Sequence, residues 1–126
     1  MGPSRPAGPA RLFLDHFWRT SLGAENEQGE LRGFLVGLLS PSDELMAYVH
    51  FAAVAPEERR SGLATVLYDR FFDLARADDR TTVRAITSPQ NVESIAFHRR
   101  LGFEISPPVS DYNGPGTEAV KMERAL

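Results

Sequence analysis

The chain has 126 residues, 42% hydrophobic and 25% charged, with a formal charge of −3. That is one domain's length, with enough apolar material for a single core. It holds no cysteine, which excludes a disulfide framework, a thiolate zinc site and covalent catalysis through sulfur. The acidic balance argues against a nucleic-acid partner. No run approaches the ~20 consecutive apolar residues of a membrane span. With no export-type apolar stretch near its start, the chain is expected in the cytoplasm.

Residues 1–9 are punctuated by Pro3, Pro6 and Pro9 with Gly2 and Gly8. They read as a disordered arm before a single domain over residues 10–126. Leu12, Phe13, Phe17 and Trp18 then make a crude helical stripe over residues 10–19. A short strand over residues 21–26 and a turn at Gln28–Gly29 lead into a strand over residues 31–39. Its Phe34, Leu35, Val36, Leu38 and Leu39 are nearly continuous apolar, as in a strand buried on both faces. These two strands form an antiparallel hairpin.

Residues 45–54 form the next strand. Simple alternation places Met46, Tyr48, His50, Ala52 and Val54 on one face and Ala47, Val49, Phe51 and Ala53 on the other. Pro56 ends it. Leu63, Val66, Leu67, Phe71 and Leu74 then mark a helix over residues 63–77, with Asp69, Arg70, Asp73 and Arg76 on its wet side. A strand over residues 80–87 follows. A second helix runs over residues 92–101, capped by Ser88 or Asn91 and closed by Gly102. Short strands over residues 103–105 and 119–124 finish the chain, joined by a Pro- and Gly-rich loop. The order β-β-β-α-β-α-β-β indicates an α/β or α+β domain whose sheet mixes strand directions.

Charge is distributed unevenly. Residues 21–50 carry Glu25, Glu27, Glu30, Asp43 and Glu44 against Arg32 alone. Such a region draws a cationic substrate at long range, or is simply solvated loop.

The segment richest in chemistry is Val54-Ala55-Pro56-Glu57-Glu58-Arg59-Arg60-Ser61-Gly62-Leu63-Ala64-Thr65. A strand stops, two arginines follow, and a Gly-x-Ala step opens the best helix. Small residues let a ligand approach the backbone, and first-turn N–H groups lack intrahelical partners. Together with the helix dipole and two guanidinium groups they form an anion site; the alternative is a plain loop eased by Gly62. There is no Gly-Lys-Ser/Thr of a Walker loop and no GxGxxG.

Arg59-x-x-Gly62-x-Ala64, between a strand and a helix, resembles the pyrophosphate-binding signature of the GNAT N-acetyltransferase superfamily. Downstream, Asn91-Val92-Glu93-Ser94-Ile95-Ala96-Phe97-His98-Arg99-Arg100-Leu101-Gly102-Phe103 resembles the family's second helix, which ends in a Gly-Phe pair. The resemblance runs from about Leu12 to the C-terminus. It implies a mixed, mostly antiparallel twisted sheet with helices on both faces. It also implies acetyl-CoA as co-substrate, with its pyrophosphate on the amides of Arg60, Ser61, Gly62, Leu63, Ala64 and Thr65 beside Arg59. The pantetheine arm would pair, strand-like, with Ala52, Ala53 and Val54 in a cleft where this strand splays from the one over residues 80–87. An amide near Ala53 or Val54 would polarise the thioester carbonyl. Asn91 matches a family asparagine that contacts the cofactor, or is a plain N-cap.

Acetyl transfer needs a neutral amine and an acid for the departing thiolate. Many family members place a tyrosine acid where this chain has His98, two turns beyond Asn91 on one helix face. His98 either donates that proton or packs as a hydrogen-bonded core residue. For the base, Tyr48 matches a strand position where relatives carry a glutamate, and His50 follows two residues on. Either takes the amine's proton, or His50 is an ordinary core histidine. With His16, His50 and His98 and no HExxH pair, no metal is expected. With no thiol, direct transfer from acetyl-CoA to a small-molecule or peptide amine is expected. Tyr112 lies in the loop that borders the acceptor site in relatives, or is an exposed turn aromatic.

Family domains begin with a further strand and helix that have no apparent equivalent here. Their absence leaves a sheet edge open and raises the expectation of a homodimer. It also favours an alternative, a non-catalytic module of the same fold that binds acyl-CoA without turnover.

Overall fold

The computed structural model describes residues 15–126. The arm expected over residues 1–9 and the first half of the helix expected over residues 10–19 lie outside the described residues; in the second half only Asp15 and His16 are helical, and residues 17–20 form turns and bends. Beyond residue 20 the described residues form seven strands and two α-helices in chain order: β1 Leu22–Glu25, β2 Leu31–Leu39, β3 Met46–Val54, α1 Leu63–Ala77, β4 Thr82–Thr87, α2 Val92–Arg100, β5 Glu104–Ile105, β6 Val109–Ser110 and β7 Glu118–Ala125. A 3-10 turn, Pro56–Glu58, sits between β3 and α1.

The sheet order is β1-β2-β3-β4-β7-β5, with β6 pairing β7 further along. β3 and β4 run parallel, and every other pairing is antiparallel. β6 falls inside the segment expected to be loop. Pro107 and Pro108 interrupt the edge ladder on β7 after β5, because proline has no N–H to give. Pairing resumes for two residues at Val109↔Ala119.

β2 explains how α1 comes so close to the sheet. Gly33, Leu35 and Gly37 face the helix in the period-two rhythm of a strand. A Cβ on Gly37 would lie 2.2 Å from Phe71 Cε1, and one on Gly33 would lie 3.0 Å from Leu63 Cδ2. Two missing side chains therefore make the seat for the helix. Its buried stripe is Leu67, Tyr68, Phe71, Phe72 and Ala75. The expected stripe is thus rotated: Val66 is exposed, and Tyr68 and Phe72 are inside. α1 and α2 share one face of the sheet and touch where Tyr68 meets His98.

The alternation expected along β3 breaks at His50. Val36 pairs with Phe51 but Gly37 pairs with Val49, so His50 is an extra residue, a β-bulge. Ala47 and Val49 face the helices before it, and Ala52 and Val54 face them after it. The face pattern predicted from residue 51 onward is therefore inverted, and Phe51 points outward, exposed beside Phe34. The bulge also ends the pairing with β4, which covers Met46↔Thr82 to Val49↔Ala85. Beyond it the two parallel strands part.

Candidate active site

The gap between β3 and β4 opens onto a cavity of about 910 Å³, at the upper end of the range for small-molecule sites. One wall is Ala52, Ala53 and Val54 of β3. The second is the loop and first turn of α1, with Arg59, Arg60, Gly62, Leu63, Ala64 and Thr65. The third is α2, with Asn91, Ser94, Phe97, His98 and Arg100.

The backbone of β3 supplies unpaired polar groups. Ala55 donates its N–H to Arg32 O at 2.8 Å. Peptide groups alternate along a strand, so Ala53 shares that direction while Ala52 and Val54 turn their N–H and C=O away from β2, into the gap.

The loop turns sharply into the helix. Arg60 has φ 70° and Gly62 φ 87°. The latter is a conformation that glycine adopts without the Cβ cost other residues bear. The first helical bond runs from Val66 N to Gly62 O, so the N–H groups of Leu63, Ala64 and Thr65 precede the ladder. Leu63 N is taken by Ser61 Oγ at 3.3 Å. Ser61 itself bonds back to Glu58 O and stays off the cavity wall. Ala64 and Thr65 are left as open donors at the positive end of a fifteen-residue helix. Asn91 is the N-cap of α2, with Oδ1 accepting from Ser94 N and Nδ2 donating to Thr87 Oγ1, and it also lines the cavity.

The most enclosed polar feature is a chain of three groups. Tyr68 Oη lies 2.7 Å from His98 Nε2, and His98 Nδ1 lies 2.7 Å from Ser94 O. Ser94 O only accepts, so Nδ1 carries the ring proton and Nε2 accepts from the phenol. Burial lowers the tendency of His98 to protonate, partly opposed by the bond to Ser94 O. Burial also raises Tyr68 far above an ordinary phenol. Both shifts favour the neutral pair that the geometry requires.

Tyr48 and His50 lie apart from this cavity wall. Their side chains approach each other at 3.4 Å beside the bulge. Burial raises the Tyr48 phenol, with a smaller contribution from Tyr112. Tyr112 in turn lies under Lys121, whose Nζ is 4.9 Å from the ring centroid. These residues therefore form a second cluster, next to the point where β3 and β4 separate. Motif reading missed Glu58, Tyr68, Glu93, Ser94, Phe97 and Arg100 among the lining residues. Tyr68 sits three residues before Phe71 and four before Phe72. That spacing was the available sign that it faces inward.

A mixed sheet whose central parallel pair splays beside a glycine-opened helix, with arginines at the mouth, defines an α/β fold with a ligand-sized cleft at its centre. The family model described as "Acetyltransferase (GNAT) family" matches residues 2–103. An L-2,4-diaminobutyric acid acetyltransferase from Nocardia farcinica is 31% identical over 99 residues, covering 75% of this chain and 51% of its own length. The chain thus spans about half of that curated relative. The crystal structure of Ard1 from Thermoplasma volcanium superposes with TM-score 0.68 at 31% identity, over 78% of this chain and 65% of that one. The structure of yncA from Salmonella typhimurium with its cofactor acetyl-CoA superposes with TM-score 0.66 at 23% identity, over 80% of this chain and 61% of that one. The chain belongs to the GNAT acetyltransferase family.

Proposed function

We propose that the protein is an N-acetyltransferase that moves an acetyl group from acetyl-CoA directly to the primary amine of a small molecule or peptide. The observation that carries this reading is the β3–β4 gap, opening at the His50 bulge and running to the open N–H groups of Ala64 and Thr65. The diphosphate sits on those amides beside Arg59 and Arg60. The pantetheine arm pairs with the outward polar groups of Ala52 and Val54. The inward N–H nearer the bulge, that of Ala52, faces the thioester carbonyl as the oxyanion donor. The sequence placed that donor near Ala53 or Val54; Ala53 points to β2, and Val54 lies at the loop end of the strand, beside the diphosphate.

The neutral amine attacks the carbonyl carbon, the C–S bond breaks, and the electron pair leaves on sulfur. One proton leaves the former amine and one reaches the thiolate, so the reaction is proton-neutral overall. The thiolate's proton comes from the Tyr68–His98 pair, the hydrogen-bonded titratable groups that line the cavity where α1 meets α2. Tyr48 and His50 stand on the acceptor side and take the amine's proton. An amine substrate is further supported by the diaminobutyric acid acetyltransferase relative.

The test is thiol release from acetyl-CoA with a panel of 2,4-diaminobutyrate, simple primary amines and short peptides with free N-termini. Saturable, amine-dependent release with an acetylated product supports the reading. Acetyl-CoA binding without release on any amine points instead to an acyl-CoA-binding module of the same fold.

A further inference from the structure

Two glutamates stand beside a site read as binding an anion. Glu57 and Glu58 precede Arg59 and Arg60, and Glu58 lines the cavity itself. Both are engaged from below by one residue of β2. Arg32 Nη2 lies 3.0 Å from Glu57 Oε2 and Arg32 Nε lies 3.4 Å from Glu58 Oε1. The Glu57 carboxyl is held below its ordinary range, first by a bond to its own backbone and then by Arg32.

We propose that Arg32 is a positioning residue for cofactor affinity: it occupies Glu57 and Glu58, so that they neither repel the CoA diphosphate nor capture Arg59 and Arg60. This rests on the reading of the cavity as the CoA site. The loop's attachment to β2 has a separate backbone component, Ala55 N to Arg32 O at 2.8 Å, which a side-chain change leaves in place. The role of the guanidinium is therefore electrostatic, and it scales with the charge of the three-residue cluster. That charge is −1 as built, −2 in Arg32→Gln, 0 in the triple variant Arg32→Gln/Glu57→Gln/Glu58→Gln, and +1 in the double variant Glu57→Gln/Glu58→Gln.

The experiment titrates CoA into the full chain and these three variants by calorimetry, at low and at high salt, with melting curves as the folding control. Affinity is expected to follow cluster charge: double variant tightest, then triple, wild type, and Arg32→Gln weakest. Arg32→Gln should bind roughly tenfold more weakly than wild type at low salt, and the gap should narrow at about 0.5 M salt as screening shortens the reach of the charges. Equal affinity of wild type and Arg32→Gln overturns the proposal. So does weak binding by both Arg32→Gln and the triple variant, which would make the contact a structural anchor. If Arg32→Gln does not fold, the double variant keeps Arg32 and must still bind CoA more tightly than wild type; equal or weaker binding refutes the charge argument. A wild type that binds no CoA removes the cavity reading, and this inference with it, whereas a wild type that binds with charge-blind variants removes the inference alone.

Discussion

Replacing Tyr68 by Phe deletes one oxygen from the buried chain that joins α1 to α2. The phenol donates to His98 Nε2 at 2.7 Å, with the two residues 3% and 5% exposed. The loss combines a neutral hydrogen bond, about 1 kcal/mol, with an acceptor left short of its partner, up to about 3 kcal/mol. The cavity touches both residues, so water reaches Nε2 in part, and the expected cost is about 2 kcal/mol. At the unfolding entropy usual for a domain of this size, that lowers the melting temperature by about 7 °C. His98 also becomes easier to protonate, because the donor that favoured its neutral form is gone. Thermal denaturation with ¹⁵N NMR of the imidazole reads both effects. In the wild type the ring proton should sit on Nδ1, with Nε2 unprotonated. In turnover, kcat should fall by roughly 10²–10⁴, the range of general acid catalysis, with KM for acetyl-CoA within a few-fold. An unchanged melting temperature together with a proton on Nε2 in the wild type would refute the donor and acceptor assignment.

Gly37→Ala would set a Cβ 2.2 Å from Phe71 and 2.6 Å from the Thr20 carbonyl; it should cost about 3 kcal/mol in urea denaturation. Gly33→Ala meets the flexible end of Leu63 at 3.0 Å and should cost clearly less; equal losses would mean that the glycine seat does not position α1. The lowered protonation of His98 has a defined sign. Between its folded value and the ordinary value near 6.5, the unfolded chain binds more protons, so stability is full above that window and falls as pH drops through it. Urea midpoints at pH 7 and pH 5 should therefore differ more in the wild type than in His98→Asn.

Where local chemistry decides, the structure was readable in advance. β2 and α1 carry the residue bounds that hydrophobic runs and Pro or Gly punctuation indicate. The cap at Asn91 follows from its side-chain oxygen reaching Ser94 N. The turn into α1 was legible because Gly62 acts through its own backbone, at φ 87°, not through distant packing. What failed was non-local. The bulge at His50 has no mark of its own on the strand, since the extra residue is defined by the pairing with β2, and it inverts every face assigned beyond it. The partner of His98 lies thirty residues away on another helix. No spacing rule within α2 points to Tyr68.

The central claim is that the loop and first turn of α1 hold the diphosphate of acetyl-CoA. Gly62 has open space where a Cβ would go, so a Glu there clashes with no described residue, while it adds a negative charge to the loop and strains the turn at φ 87°. A calorimetric titration of acetyl-CoA into wild type and Gly62→Glu tests this directly. Saturable one-to-one binding by the wild type, abolished in a Gly62→Glu variant that still melts cooperatively, is the predicted result. Equal binding by the folded variant, or none by the wild type, would contradict the account.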